Sequence, residues 1–305
     1  MTNNAGRMTA GGVWLLSMTA LRLSYGRENL SLMIGLLLTA AAAYGTAAFF
    51  LCRGGGEVSR FFWILLVLAA VGFRLSVFTV PPELLSDDVY RYMWDGKLQT
   101  EGYNPYLHAP SDEELRGLNG KGLYEQVPHK NTRSSYPPLS QLVFRLAYAA
   151  GDRLAGRANS GGVPFLLSAR LFPLRFIYLL AEAGILFFLL RLGAGRRGVL
   201  IYLMCPLTIV EPYAGVHIDI IGVLFLAAAF YFFRRRRYYI FLAAFVLSVL
   251  IKYVPGILAP LFLIEYLRRE RGGKPVGSTM TDVALKTLFA CAFAFLFFLP
   301  FLDAG

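Results

Sequence analysis

The chain has 305 residues, 56% of them hydrophobic and 16% charged, with a mean hydropathy of +0.54. Several apolar runs meet or approach the ~20 residues that a bilayer span needs, and no soluble stretch is long enough to bury a core of its own, so a soluble globular protein is excluded and a polytopic membrane protein indicated. The formal charge of +11 does not point to nucleic acid, because the basic residues cluster in short turns between apolar runs, as at Arg234-Arg235-Arg236-Arg237, the pattern of cytoplasmic loops under the positive-inside rule.

Cys52, Cys205 and Cys291 are far apart, in or beside apolar runs, and form neither a disulfide framework nor a metal-ligand spacing. No cofactor is expected, and a divalent metal is not indicated. Residues 1 to 7 lack the charged start and cleavage pattern of a removable signal.

In chain order, residues 10 to 23 are apolar but short, either a first span or an interfacial helix. Leu30 to Leu51 and Phe61 to Val80 read as spans, with Arg53 and Arg60 between them as a cytoplasmic turn, so residues 81 to 138 face outward. These 58 positions hold nine of the 19 acidic residues: Glu83, Asp87, Asp88, Asp95, Glu101, Asp112, Glu113, Glu114 and Glu125. Chemistry is expected here. Leu139 to Ala155, with Arg145, Asp152 and Arg153, reads as a helix lying at the surface. Leu171 to Leu190 returns inward to Arg191, Arg196 and Arg197. Val199 to Val210 goes out, a short turn through Glu211 and His217 stays outside, and Ile218 to Phe233 comes back to the four arginines.

Residues 238 to 267 look like one span, yet Arg268, Arg269, Arg271 and Lys274 beyond it are as cytoplasmic in character as the arginines before it. Two short helices meeting at Lys252-Tyr253-Val254-Pro255 resolve the conflict, since Pro255 disfavours helix at Val254 and has no N–H to donate. Arms of about 13 residues reach only ~20 Å into a ~30 Å hydrocarbon layer, which places Lys252 inside the membrane, nearer the outer side. A last span, Val283 to Leu302, ends outside. The expected fold is all-α: a polytopic transmembrane helical bundle of about 7–9 membrane segments. It forms one integral-membrane domain over residues 1–305, with a long extracytoplasmic loop, 81–138, carrying interfacial helices.

Ser86 is placed to cap a helix, with Asp87 and Asp88 in its first turn, where carboxylates favour the helix dipole. Asp87, Arg91 and Asp95 follow at four-residue spacing on one face, and Gly102 and Asn104-Pro105 stop the helix. Two readings stand: an amphipathic surface helix whose carboxylates only cap and pair, or a catalytic edge. His217 and Asp219 either contact substrate or cap the next helix. His129, Lys130 and Arg133 meet a phosphate or only lipid headgroups. Arg74 is placed to snorkel outward, and the aromatic residues at 90, 92, 94, 103 and 106 suit interfacial anchoring or sugar stacking. Lys252, inside the membrane, needs a counter-charge: either a lipid phosphate or Glu182.

The stretch SDDVYRYMWDGKLQTEGYNPY, followed by Tyr136-Pro137-Pro138-Leu139, resembles the GT-C superfamily of membrane glycosyltransferases, and is most similar to bacterial mannosyltransferase-like members that use polyprenyl-phosphate sugars. PLTIVEPYAGVHID, from Pro206 to Asp219, and the break at Lys252 to Pro255 look like later landmarks of the same family. The resemblance spans roughly residues 60 to 302. Its members usually continue for several more spans, so with the chain stopping at Gly305 a C-terminal truncation is left open.

The resemblance implies transfer of a hexose, mannose-like, from a polyprenyl-phosphate donor to a lipid-linked or cell-envelope acceptor. The reaction is one inverting displacement at the outer face of the plasma membrane. It needs one carboxylate as general base: Asp87 first, Asp88 second. Arg91, Asp95, Tyr136, His217, Asp219 and Lys252 are the implied substrate-binding residues. The competing expectations are a lipid or anion transporter or flippase, and a non-catalytic truncated relative. No nucleic-acid partner is expected, and the sequence leaves the oligomeric state open.

Overall fold

The structure is a computed structural model that describes residues 2–24, 30–53, 59–77, 86–119, 122–157, 163–270 and 276–302; side chains are described for all of these except 2–7, 30, 53, 157 and 163–168. Residues 78–80 at the end of the expected second long span, Glu83 of the acidic set, and Arg271 and Lys274 lie outside the described residues.

Among the described residues the chain is helical, without strands. Helices α1 (Thr2–Ser24), α2 (Leu30–Arg53) and α3 (Arg60–Ser76) open it, and α4 (Asp88–Thr100) starts within two residues of Ser86. Gly102, at φ +87°, ends α4: the Tyr103 N–H donates to the Leu98 carbonyl at 2.9 Å and the Gly102 N–H to that of Gln99 at 3.4 Å. This left-handed helix stop is one that glycine adopts without steric cost. A 3-10 turn (Glu113–Leu118) and α5 (Leu123–Gln126) lead to α6 (Pro138–Arg157), which begins on a proline whose missing N–H would have had no helical partner anyway. Then come α7 (Val163–Arg191), α8 (Gly195–Met204), α9 (Pro206–Ile209), α10 (Asp219–Arg234), α11 (Tyr238–Ile251), α12 (Ala259–Glu270) and α13 (Val276–Leu296).

The break in 238–267 is where the sequence puts it. Helix α11 stops at Ile251, Lys252 is extended (φ −152°, ψ 136°), and a 3-10 turn over Val254–Leu258 carries the chain into α12. Two expected spans differ. Val199–Val210 is not one helix, because Cys205 is extended (φ −62°, ψ 117°) between α8 and α9; Pro206 disfavours helix at Cys205, the residue before it. The last span runs seven residues earlier than Val283 and stops at Leu296. Its polar start is stabilised by the Asp282–Lys286 pair at four-residue spacing. At the far end Phe297 and Phe298 tighten into 3-10 bonds before Pro300. Among the described residues three helices are long and apolar enough to cross a membrane, over 31–52, 169–191 and 276–296; the 14-residue α11 is apolar but shorter.

The chain divides into two compact units. The first comprises Met1–Val89, Gly151–Ile177 and Leu189–His217. There α1 packs on α2 and α3, and buried Ala40, Ala43 and Ala47 give α2 a narrow close-packing face. Trp14, fully buried, sets its ring edge against Phe73 at 5.7 Å and donates Nε1–H to the Met204 carbonyl at 2.7 Å. Arg74 does not snorkel: it is 2% exposed and donates to the Ala70 and Leu203 carbonyls and to Thr208 Oγ1. Its guanidinium thereby satisfies a carbonyl orphaned at the end of α8, where positive charge is also favoured.

The second unit comprises Tyr90–Ala150, Tyr178–Phe188 and Ile218–Gly305. One part of its core is aromatic: Phe233, Phe241, Phe245 and Phe262 bury one another where α10, α11 and α12 meet. In another part Tyr92 stacks on Phe144 with ring centres 4.4 Å apart, and Tyr136 stands edge-on to both. Tyr90, Tyr92 and Trp94 are at most 2% exposed, so they are core residues of the protein rather than interfacial anchors.

Candidate functional site

In the first unit, Ser86 Oγ accepts the Asp88 N–H at 3.2 Å and so starts α4. Asp87, one residue before the helix, is exposed, and among the described residues its carboxylate has no hydrogen-bonding or ionic partner. Asp88 is half-buried, with Oδ2 4.0 Å from His217 Nε2. The other imidazole nitrogen, Nδ1, is hydrogen-bonded to the Glu211 carboxylate.

A local fold brings Glu211 and His217 together. After the break at Pro206, residues Val210–Ala214 form a single π-turn, a wide turn that recurs at functional sites. The His217 N–H then returns to the Glu211 carbonyl at 3.0 Å. Buried Val216 turns the chain at φ +56°, where a β-branched residue is strained and persists only because its surroundings hold it. The result gathers carboxylate, imidazole and carboxylate, with Glu211 hydrogen-bonded to Nδ1 and Asp88 near Nε2 at a distance beyond hydrogen bonding. Glu211 is the member that the sequence reading left without a role. Its six-residue separation from His217 matches no helical spacing, and only the π-turn closes it.

In the second unit, Asp95 is fully buried. Its Oδ1 accepts from Arg91 Nε at 2.8 Å and its Oδ2 from Gln141 Nε2 at 2.9 Å. Gln141 also donates to Ser134 Oγ and accepts from Gln99, while Arg91 Nη1 donates to the Thr132 carbonyl at 2.9 Å. Burial pushes the Asp95 carboxyl above its ordinary value, outweighing the opposing pull of the Arg91 guanidinium and the Gln141 and Ser134 donors. Gln141 and Ser134 were not foreseen. The Tyr136 ring lies in the aromatic cluster and its carbonyl accepts the Tyr106 hydroxyl at 2.7 Å.

Also in this unit, Lys252 Nζ meets both carboxylate oxygens of Asp219, at 2.7 and 2.8 Å. This corrects the expectation that the chain supplies no carboxylate for it except Glu182: its partner is the first residue of α10, 33 positions back. The Ile251 carbonyl, left over where α11 breaks, accepts from Ser140 Oγ at 2.6 Å, so the break is held from α6. Of the basic loop residues, Lys130 donates to the Glu125 carbonyl and lies over the Tyr124 ring. Among the described residues no three of His, Cys, Asp and Glu gather as a metal-binding group.

A protein-family model described as alpha-(1->6)-mannopyranosyltransferase, N-terminal domain, matches residues 75–268, more than half of the chain. The chain belongs to this family. The matched stretch includes the candidate site residues from Asp87 to Lys252, and membership supports a mannosyl glycosyltransferase in a membrane protein with apolar spanning helices. No curated protein and no solved structure matches the chain.

Proposed function

We propose that this mannosyltransferase-family chain transfers mannose from a polyprenyl-phosphate donor to a lipid-linked or cell-envelope acceptor, with inversion, as a GT-C enzyme. The observation that carries the reading is the acidic start of α4 inside the family-matched stretch: Asp87, exposed and without a partner among the described residues, beside Asp88, whose carboxylate lies 4.0 Å from the His217 imidazole. In the displacement the acceptor hydroxyl oxygen forms a bond to the anomeric carbon, the bond to the phosphate oxygen breaks, and polyprenyl phosphate leaves. Asp87 takes the hydroxyl proton, a role that needs an ionised carboxylate open to the acceptor. Asp88, next to His217, positions that start and is the second candidate base. His217, backed by Glu211, orients the acceptor or the Asp88 carboxylate.

Lys252 faces the donor phosphate, where its ammonium stabilises the charge that develops on the leaving group, and Asp219 is the counter-ion that the phosphate replaces. Tyr136 flanks the sugar. Arg91 and Asp95, both buried, take part by fixing α4 rather than by touching substrate. The single-domain reading of residues 1–305 is retained, supported by the interleaving of both units along the chain. The membrane reading is a bundle of about 7–9 segments in the plasma membrane, with residues 81–138 outside.

A second reading, a lipid or anion transporter, gains one observation: α8 and α9 give a second proline-broken segment besides that at Lys252, and paired broken helices are common in transporters. One experiment separates the two. Purified protein is incubated with a panel of radiolabelled polyprenyl-phosphate sugars and a membrane-extract acceptor. Label moving covalently from polyprenyl-phosphate mannose into acceptor is expected; donor translocation across proteoliposomes without any transfer would overturn the enzyme reading.

A further inference from the structure

Helices α11, α12 and α13 of the second unit line an open apolar groove of about 670 Å³, within the ~300–1,000 Å³ typical of small-molecule sites. It runs from Gly256, beside the helix break, past Phe245 and Phe262 to Tyr238, Tyr266 and Lys286. Those last three residues also line a second cavity of about 410 Å³, whose other walls are polar: Glu270, Ser278, Thr279 and Asp282. The two spaces share a wall and differ in chemistry, so an occupant of both is an amphiphile.

We infer that this is a binding site for a phospholipid whose head carries a primary ammonium beside its phosphate. The apolar groove suits a lipid tail. The polar one presents mixed charge: Glu270 accepts from the Tyr238 hydroxyl at 2.8 Å and lies 3.6 Å from Arg236, while Asp282 accepts from the Tyr266 hydroxyl and pairs with Lys286. A carboxylate offers about four acceptor positions, so Asp282 has room beside Tyr266 and Lys286 for the donors of an ammonium. Lys286 Nζ lies 5.3–5.9 Å from the ring centres of Tyr238, Tyr239 and Tyr266. The ring faces favour its charge, which serves the head phosphate.

Two carboxylates, balanced by Lys286 and Arg236, suit a zwitterionic head and leave no surplus positive charge for a bare phosphate monoester, so this head site does not take the donor's phosphate. They also disfavour a head with no cation. The polar end adjoins the Arg236 cluster, which is the cytoplasmic side in the orientation proposed above, so the lipid comes from that leaflet.

The test reconstitutes the full chain in nanodiscs of equal parts phosphatidylethanolamine, phosphatidylglycerol and phosphatidylcholine with added polyprenyl phosphate, and identifies retained lipid by native mass spectrometry. Phosphatidylethanolamine enriched at least five-fold over each of the others is expected. Glu270→Gln and Asp282→Asn should each reduce that enrichment several-fold, and Ala290→Trp, which fills the apolar wall, should abolish retention. Thermal unfolding identifies any variant that fails to fold, and the wild-type enrichment stands as a test without the variants. Equal retention of phosphatidylglycerol or polyprenyl phosphate, or no retained lipid, overturns the assignment.

Discussion

Lys252 Nζ sits 2.7 and 2.8 Å from the two carboxylate oxygens of Asp219, so the one lysine at the break between α11 and α12 carries its counter-ion with it. Both side chains are a little under half exposed. Such a pair contributes about 0–1 kcal/mol, which leaves the ammonium free to exchange one oxyanion for another.

Lys252→Met is therefore expected to unfold within a few degrees of wild type in detergent, yet to show none of the stabilisation that added polyprenyl-phosphate mannose is expected to give the wild type. Asp219→Asn should keep most of it, because the ammonium remains. If the donor stabilises Lys252→Met as well as wild type, the lysine does not bind the phosphate.

Orientation is tested by labelling. In a background lacking Cys52, Cys205 and Cys291, a cysteine at exposed Ser111 should react with a membrane-impermeant maleimide in intact cells, and one at exposed Arg236 should not. Labelling at position 236 would invert the topology and remove the active-site face with it.

The break at Lys252 could be read from the sequence because two clusters of positive charge flanked a single apolar run and a proline stood between them. The same proline physics at Pro206 went unread, since no charge conflict drew attention to it. Arg74 and the aromatic residues of α4 were misread for a common reason: an arginine or tyrosine near an expected membrane boundary suits the interface, and only packing reveals that Arg74 meets Leu203 and Thr208 or that Tyr92 lies on Phe144. Ser86 and Gly102 were legible because capping is local. The partners of Asp95, Lys252 and His217 were not, since Gln141, Asp219 and Glu211 reach them by tertiary folding or through a π-turn.

Asp95 gives a pH prediction. Its folded-state pKa is raised above the ordinary 3.8, so the folded protein holds that proton more tightly than the unfolded chain does. The stability gained is complete below pH 3.8 and lost as pH rises through the raised value. The unfolding free energy of wild type relative to Asp95→Asn should fall over that window and then level off. A difference that rises with pH would contradict the burial argument.

Gly96 is a packing test. A Cβ there would lie 2.4 Å from the Phe144 carbonyl oxygen and 2.8 Å from Tyr148 Cβ. Gly96→Ala should therefore cost about 1–3 kcal/mol by overpacking, despite alanine's better helix propensity. Unchanged or higher thermal stability would show that α4 and α6 are less closely apposed than described.

The most direct test of the account is mannosyl transfer by Asp87→Asn, purified and shown to be folded by its unfolding temperature and by donor-dependent stabilisation. An amide keeps the shape of the side chain but cannot take the acceptor's proton, so transfer should fall at least 10²-fold, the lower range for losing a general base, with donor binding retained. Asp88→Asn should retain measurable activity. Near wild-type transfer by Asp87→Asn would contradict the assignment of the base.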